Sequence, residues 1–234
     1  TSTSGGLTLI VAGGIIYASD ANFRNNLLDI KMGMQNVTTA LQGGVQRSVI
    51  THCEFKKTEP FVCPTTQKYG CISLNSSSST PTLLIEENLF TTENLSGEDR
   101  GTGIRITNDK VYIQSNNIFQ DLFKGIDAYN TLTTIKAVQV VNNYFNNVTK
   151  GVTMNNVVGG KIEHNQFNIP SGTSTVDAYG VNLFGSKSVH VLDNDFFAAQ
   201  NSSYARGLIA DNTFYTAYPT NVKNNEFTGR FQEA

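Results

Sequence analysis

Arg105 and Asp127 each follow a Gly-Ile pair, Gly103-Ile104 and Gly125-Ile126, so the two stand in equivalent local settings 22 residues apart. A basic side chain next to a carboxylate is a fragment of polysaccharide-lyase chemistry. There a base removes a proton, and a cation, often calcium held by several carboxylates, stabilises the resulting anion. An ordinary ion pair between neighbouring strands, worth ~0–1 kcal/mol, accounts for the same residues and is the expected role, because no further carboxylate shares their position. Glycoside hydrolysis needs two carboxylates facing each other ~5–10 Å apart. Asp193 and Asp195 flank Asn194, with Glu163 or His164 and Glu226 as the nearest equivalents, which reads as a solvated polar edge. Glu98-Asp99 lies in a loop and supplies too few ligands for a calcium cage.

The other reactive residues are sparse. His52 and His164 occupy equivalent positions in distant parts of the chain, and His190 another, so no metal or triad is expected. Of three cysteines, Cys63 and Cys71 bracket a short stretch containing Pro64 and Gly70. A disulfide between them suits a secreted protein; two thiols are the alternative, and Cys53 remains over. No phosphate loop and no Gly-x-Ser-x-Gly elbow occurs. Net charge is −2 with no basic run, which argues against nucleic acid as a partner. No apolar run is long enough to span a membrane.

The elements that must position these residues are written in a repeat. The pattern aliphatic-x-x-Asn-x-Phe recurs around Asn88, Asn143, Asn165, Asn194 and Asn225. A copy at Ile50–Phe55 has Cys53 in place of Asn, and a copy ending Asn117-Ile-Phe119 carries one extra residue, as a bulge would. Successive copies from Cys53 are 35, 29, 26, 22, 29 and 31 residues apart. The shortest spacing matches a minimal three-strand coil and the excess belongs to surface loops. A glycine followed by an apolar residue opens a strand before each copy: Gly44-Val45, Gly70-Cys71, Gly103-Ile104, Gly125-Ile126, Gly151-Val152, Gly180-Val181 and Gly207-Leu208. Charged residues are only 15% of the chain, and Asn, Ser, Thr and Gly are poor helix formers suited to turns.

These features predict an all-β fold, a right-handed parallel β-helix (a solenoid) of about seven to nine coils. Degenerate coils occupy residues 1–43 and regular repeats 44–234, the whole being a segment of a longer protein. Stacking the coils about 4.8 Å apart turns equivalent residues into columns. Phe55, Phe90, Phe119, Phe145, Phe167, Phe196 and Phe227 form an aromatic column. Asn88, Asn117, Asn143, Asn165, Asn194 and Asn225 form an amide ladder at a bend, where the Asn backbone takes an unusual conformation. Two residues after each glycine, the outward column reads Gln46, Ile72, Arg105, Asp127, Thr153, Asn182, Ile209. Tyr129, Thr153 and Asn182 are the candidate ligand-binding residues, with Tyr144 and Tyr179 as further stacking candidates.

The Gly-apolar strand followed by Ile-x-x-Asn-x-Phe resembles the repeat of the pectate-lyase-like superfamily of parallel β-helices, over about Gly44 to Phe227. That resemblance implies the fold. It leaves open lyases, hydrolases, epimerases, tailspikes and adhesins. The Asn-rich form is similar to repeat regions of large secreted or cell-surface Bacteroidota proteins, often type IX secretion cargo. The expectation is a non-catalytic secreted or cell-surface segment, a stalk or a carbohydrate-facing adhesin, with flanking coils or a partner protein capping its ends and no cofactor. The alternative is a polysaccharide lyase or hydrolase working around Arg105, Asp127 and the loops at 56–69 and 91–102, with calcium if it is a lyase.

Overall fold

The computed structural model describes residues 7–11, 17–24, 28–34, 48–58, 70–76, 83–107, 111–129, 138–199, 203–211 and 219–232. Their strands form three parallel sheets of eight strands each, and the chain visits the sheets in the fixed order A, B, C. Each strand inside the stack therefore pairs with its counterpart one turn before and one turn after, and the fold is an all-β parallel solenoid. The first strands, from Leu7–Val11 onward, stack at one end of the same three sheets. The one helical element among the described residues is a short 3-10 turn at Gly97–Arg100. Among the described residues no helix is long and apolar enough to cross a membrane.

Alternation along each strand directs β-branched and aromatic residues inward, as in Lys150–Asn155, where Val152 and Met154 are fully buried and Thr153 and Asn155 are half-buried. One inward column of sheet A runs through Ile72, Ile104, Ile126, Val152, Val181 and Leu208. Cys71 does not belong to it. Gly70 faces Thr102 and Ile72 faces Ile104, which places Cys71 opposite Gly103. Reading Gly70 as the repeat glycine therefore shifts that strand by one residue, and Ser73, not Ile72, lies beside Arg105. Gly44, Val45 and Gln46 lie outside the described residues.

The corner between sheets B and C carries the amide ladder and the aromatic column. The seven phenylalanine rings from Phe55 to Phe227 stack with centroids 4.6–4.9 Å apart and planes within 4–12° of parallel. The spacing is the coil rise itself, so strand pairing sets the ring geometry. Phe231 ends the stack edge-on, 5.9 Å from Phe227 at 84°. The repeat glycine belongs to the same packing unit. A Cβ at Gly125 would lie 2.8 Å from the Phe145 ring and 2.6 Å from the Gly151 carbonyl oxygen.

The ladder asparagines satisfy the bend, and all but the half-buried Asn225 at the end of the stack are buried. The Asn143 side-chain N–H group donates to Ile113 O and Val141 O at 3.0 Å and to Asn165 Oδ1 at 3.2 Å, and its backbone N–H donates to Asn165 Oδ1 at 2.9 Å. The same set recurs at Asn88, Asn165 and Asn194. Cys53 imitates it: its thiol donates to Thr51 O at 3.2 Å and its N–H to Asn88 Oδ1 at 2.9 Å. Burial raises the Cys53 pKa, against a hydrogen bond from the Ala21 backbone. The unusual backbone conformation falls on the residue before each ladder position, contrary to the sequence expectation. Glu87, Asn142, His164, Asp193 and Asn224 have φ of 53–55°. The ladder amide must point inward to reach the carbonyls, so its exposed neighbour makes the turn. At the copy with one extra residue, Ser115 and Asn116 both take positive φ.

Candidate functional site

The outer face of sheet A is where the repeat stops being repetitive. Register pairing lays three outward columns across it. The first runs Lys124, Lys150, Tyr179, Arg206. The second runs Arg105, Asp127, Thr153, Asn182, Ile209, and the third Thr107, Tyr129, Asn155, Phe184, Asp211. Counting two residues on from each repeat glycine reaches only the second. The third is visible in the sequence too, four residues after each repeat glycine, because alternation brings that position to the same face.

Two longer loops rise where the chain passes from sheet C into sheet A. The loop at 93–101 is pinned across two turns by Arg100, whose guanidinium donates to Asn147 O at 3.2 Å and to the Thr149 hydroxyl. Burial lowers the Arg100 pKa, with the charge of Asp121 opposing the shift. The loop at 170–177 closes on itself through Thr173 and Val176 and is tied to the following turn by the Gly172 N–H on Ser203 O at 2.7 Å. Between these loops and the sheet lies a groove of about 450 Å³, with Glu98 and Asp177 from the loops and Phe123, Lys150, Tyr179 and Asn182 among the residues of its floor.

The Tyr179 ring is buried, and its hydroxyl sits 2.9 Å from Thr153 Oγ1. Burial pushes the Tyr179 pKa up, against hydrogen bonds with the side chains of Thr153 and Asn182. Lys150 Nζ lies 5.1 Å from the centre of the Phe123 ring and 5.9 Å from that of Tyr179, within cation–π range of both. Arg206 reaches Asp177 at 3.3 Å across the groove rim. Asn155 Oδ1 and Asn182 Oδ1 are buried and have no hydrogen-bond partner among the described residues. An unpaired buried acceptor costs about 1–3 kcal/mol, so each of these oxygens is open to a donor beyond the described residues.

The sequence candidates are brought together in part. Arg105 and Asp127 are direct register neighbours, and the Asp127 carboxylate accepts a hydrogen bond from Lys124 Nζ at 2.8 Å. Thr153 and Asn182 are register neighbours, with Asn182 on the groove floor and Thr153 beneath it against the Tyr179 hydroxyl, while Tyr129 stands exposed in the next column. Tyr144 lies on the other side of the molecule. Its hydroxyl accepts from Asn168 Nδ2 at 2.6 Å, beside a second hollow of about 460 Å³ lined by Asn116, Asn142, His164 and Gln166. His52 pairs with Glu87 at 2.7 Å on an exposed corner, away from His164. Asp193 turns the B–C corner, and Asp195 pairs in register with Gln166 and Glu226. Thr91 and Thr92 belong to the strand Leu89–Thr92, so the loop expected at 91–102 begins only at 93. Cys71 is buried in its strand, and Cys63 and residues 59–69 lie outside the described residues. Among the described residues no three His, Cys, Asp or Glu side chains converge, so those residues do not form a carboxylate cage for calcium.

No protein-family model, no curated protein and no solved structure matches this chain.

Proposed function

We propose that this chain is a non-catalytic β-helix module of a secreted or cell-surface protein, with the outer face of sheet A turned toward carbohydrate. The groove on that face carries the proposal, since it joins aromatic rings, the Tyr179 hydroxyl and the Asn182 amide oxygen, which has no partner among the described residues. Sugars offer that mixture a complement, with apolar ring faces for aromatic side chains and O–H donors for amide oxygens. The repeat motif and the parallel solenoid support a place in the pectate-lyase-like superfamily. The Asn-rich coils are in keeping with the surface proteins of Bacteroidota that travel by type IX secretion. Flanking coils or a partner protein would cover the strand edges at the ends of the stack.

A polysaccharide panel with calcium present tests this, with binding and the release of unsaturated or reducing ends followed together. Binding without product is the expected result. Silence on both counts would overturn the carbohydrate reading and leave a structural stalk. The register pairing of Arg105 with Asp127 favours a second reading, a lyase or hydrolase on the same face. Product release that disappears in Arg105→Ala and Asp127→Ala would establish it.

A further inference from the structure

Asn155 and Asn182, whose amide oxygens have no partner among the described residues, lie on adjacent strands of sheet A. Asn155 faces Phe184 and Thr153 faces Asn182, so the amides sit diagonally, one strand and two residues apart. Both residues are half-buried, Asn182 lines the groove, and the terminal amide torsion is soft enough to turn an oxygen outward. Within its own column Asn155 stands between Tyr129 and Phe184, whose rings are 40% and 43% exposed. One strand spacing separates each ring position from Asn155, which places the two positions about 10 Å apart along the solenoid axis.

We propose that this column is the binding line for an uncharged polysaccharide lying along the solenoid axis over the strands Lys124–Tyr129, Lys150–Asn155 and Ala178–Phe184. Asn155 and Asn182 accept hydroxyl groups of the chain, and Tyr129 and Phe184 pack against successive sugar faces. The inference rests on the carbohydrate reading of the groove and deepens it by naming residues, direction and ligand class. Acceptors without donors select a ligand rich in O–H groups. Exposed rings repeated along the axis select a chain over a single sugar. The charge selects against a polyanion: Glu98, Asp177 and Asp211 line the groove with Lys150 and Arg206, three acids to two bases. Arg206 is engaged by Asp177, and Asp211 closes the aromatic column itself.

Calorimetric titration with cello-, xylo- and manno-oligosaccharides of increasing length, and with polygalacturonate and heparin, tests the proposal. An uncharged chain should bind with affinity that rises with length until it spans the three strands. Its Kd should rise about tenfold or more in Asn182→Ala and in Phe184→Ala, corresponding to the loss of one good contact. Phe184→Tyr should retain binding. Phe197→Ala, at an exposed ring on sheet C, should change nothing. Matching urea midpoints for all variants separate lost contacts from unfolding. Uncharged chains that bind regardless of both sheet A variants would overturn the binding line and leave the carbohydrate reading standing. Binding confined to polygalacturonate or heparin would overturn the uncharged class. No binding by any sugar would overturn both proposals.

Discussion

The B–C corner and the outer face of sheet A are built from the same coils under opposite rules. At the corner, the ladder holds asparagine from Asn88 to Asn225 and the stack holds phenylalanine from Phe55 to Phe227. On sheet A, one column changes from Arg105 to Asp127, Thr153, Asn182 and Ile209 over consecutive turns. A position that stacks on itself is constrained by its own copies above and below, since a ring stacks best on a ring and an amide bonds best to an amide. A position that faces solvent has no such constraint and can carry a different group in every turn. Identity along a column thus marks what holds the solenoid together, and variation marks where it can meet something else.

The sharpest way to break this contrast is at the stack. Phe145→Ala should destabilise by about 3–5 kcal/mol, because it opens a cavity between two rings that strand pairing prevents from closing. Urea denaturation measures it, and a cost below about 1 kcal/mol would mean the stack is dispensable. Asn143→Ala comes next. It strips the donors from Ile113 O and Val141 O and the acceptor from the Asn117 N–H, an expected loss of about 2–3 kcal/mol by the same measurement.

Cys53→Asn should work the other way, stabilising by about 1 kcal/mol, since the new amide can donate to both Asn88 Oδ1 and Thr51 O where the thiol now makes one weak bond. A destabilised variant would show that the first ladder turn requires cysteine. The same substitution sharpens a pH prediction. Cys53 and Tyr179 have folded pKa values above their unfolded ones. Each therefore contributes stability that is complete below its unfolded pKa, about 8.5 and about 10, and that is lost as pH rises through the folded value. Urea midpoints should hold to about pH 8 and fall above it, and Cys53→Asn should delay the onset of the fall. Identical profiles for the two proteins would count against a buried thiol as its origin.

The smallest stability effect belongs to sheet A. Asn155→Ala and Asn182→Ala should each cost less than about 0.5 kcal/mol of unfolding free energy, or raise it by as much as about 1 kcal/mol by removing an unpaired acceptor. A loss on the scale of Asn143→Ala would erase the distinction between the two regions.

The stack and ladder were legible in the sequence because each recurs on a motif whose period is that of the coil. The register of the strand Gly70–Ser76 was not. Its glycine lies one residue before the repeat position, where Cys71 stands opposite Gly103, and only pairing with the next strand reveals the offset. The turn conformation was placed one residue late for a similar reason: the motif advertises the asparagine, while the φ near 54° belongs to its variable neighbour. On sheet A, Arg105 and Asp127 were legible as neighbours by counting from their glycines. The claim of Lys124 on Asp127 and the loops at 93–101 and 170–177 as walls were not, because loop paths leave no periodic trace.

The sequence by itself determined the solenoid, since columns of like residues can be satisfied only by stacking the turns in parallel. The tertiary structure alone decided that Phe123, Lys150 and Tyr179 converge and that the amide oxygens of Asn155 and Asn182 find no donor among the described residues. Convergence on one face depends on where each turn's loop ends and how each side chain leans, and neither is repeated from one coil to the next.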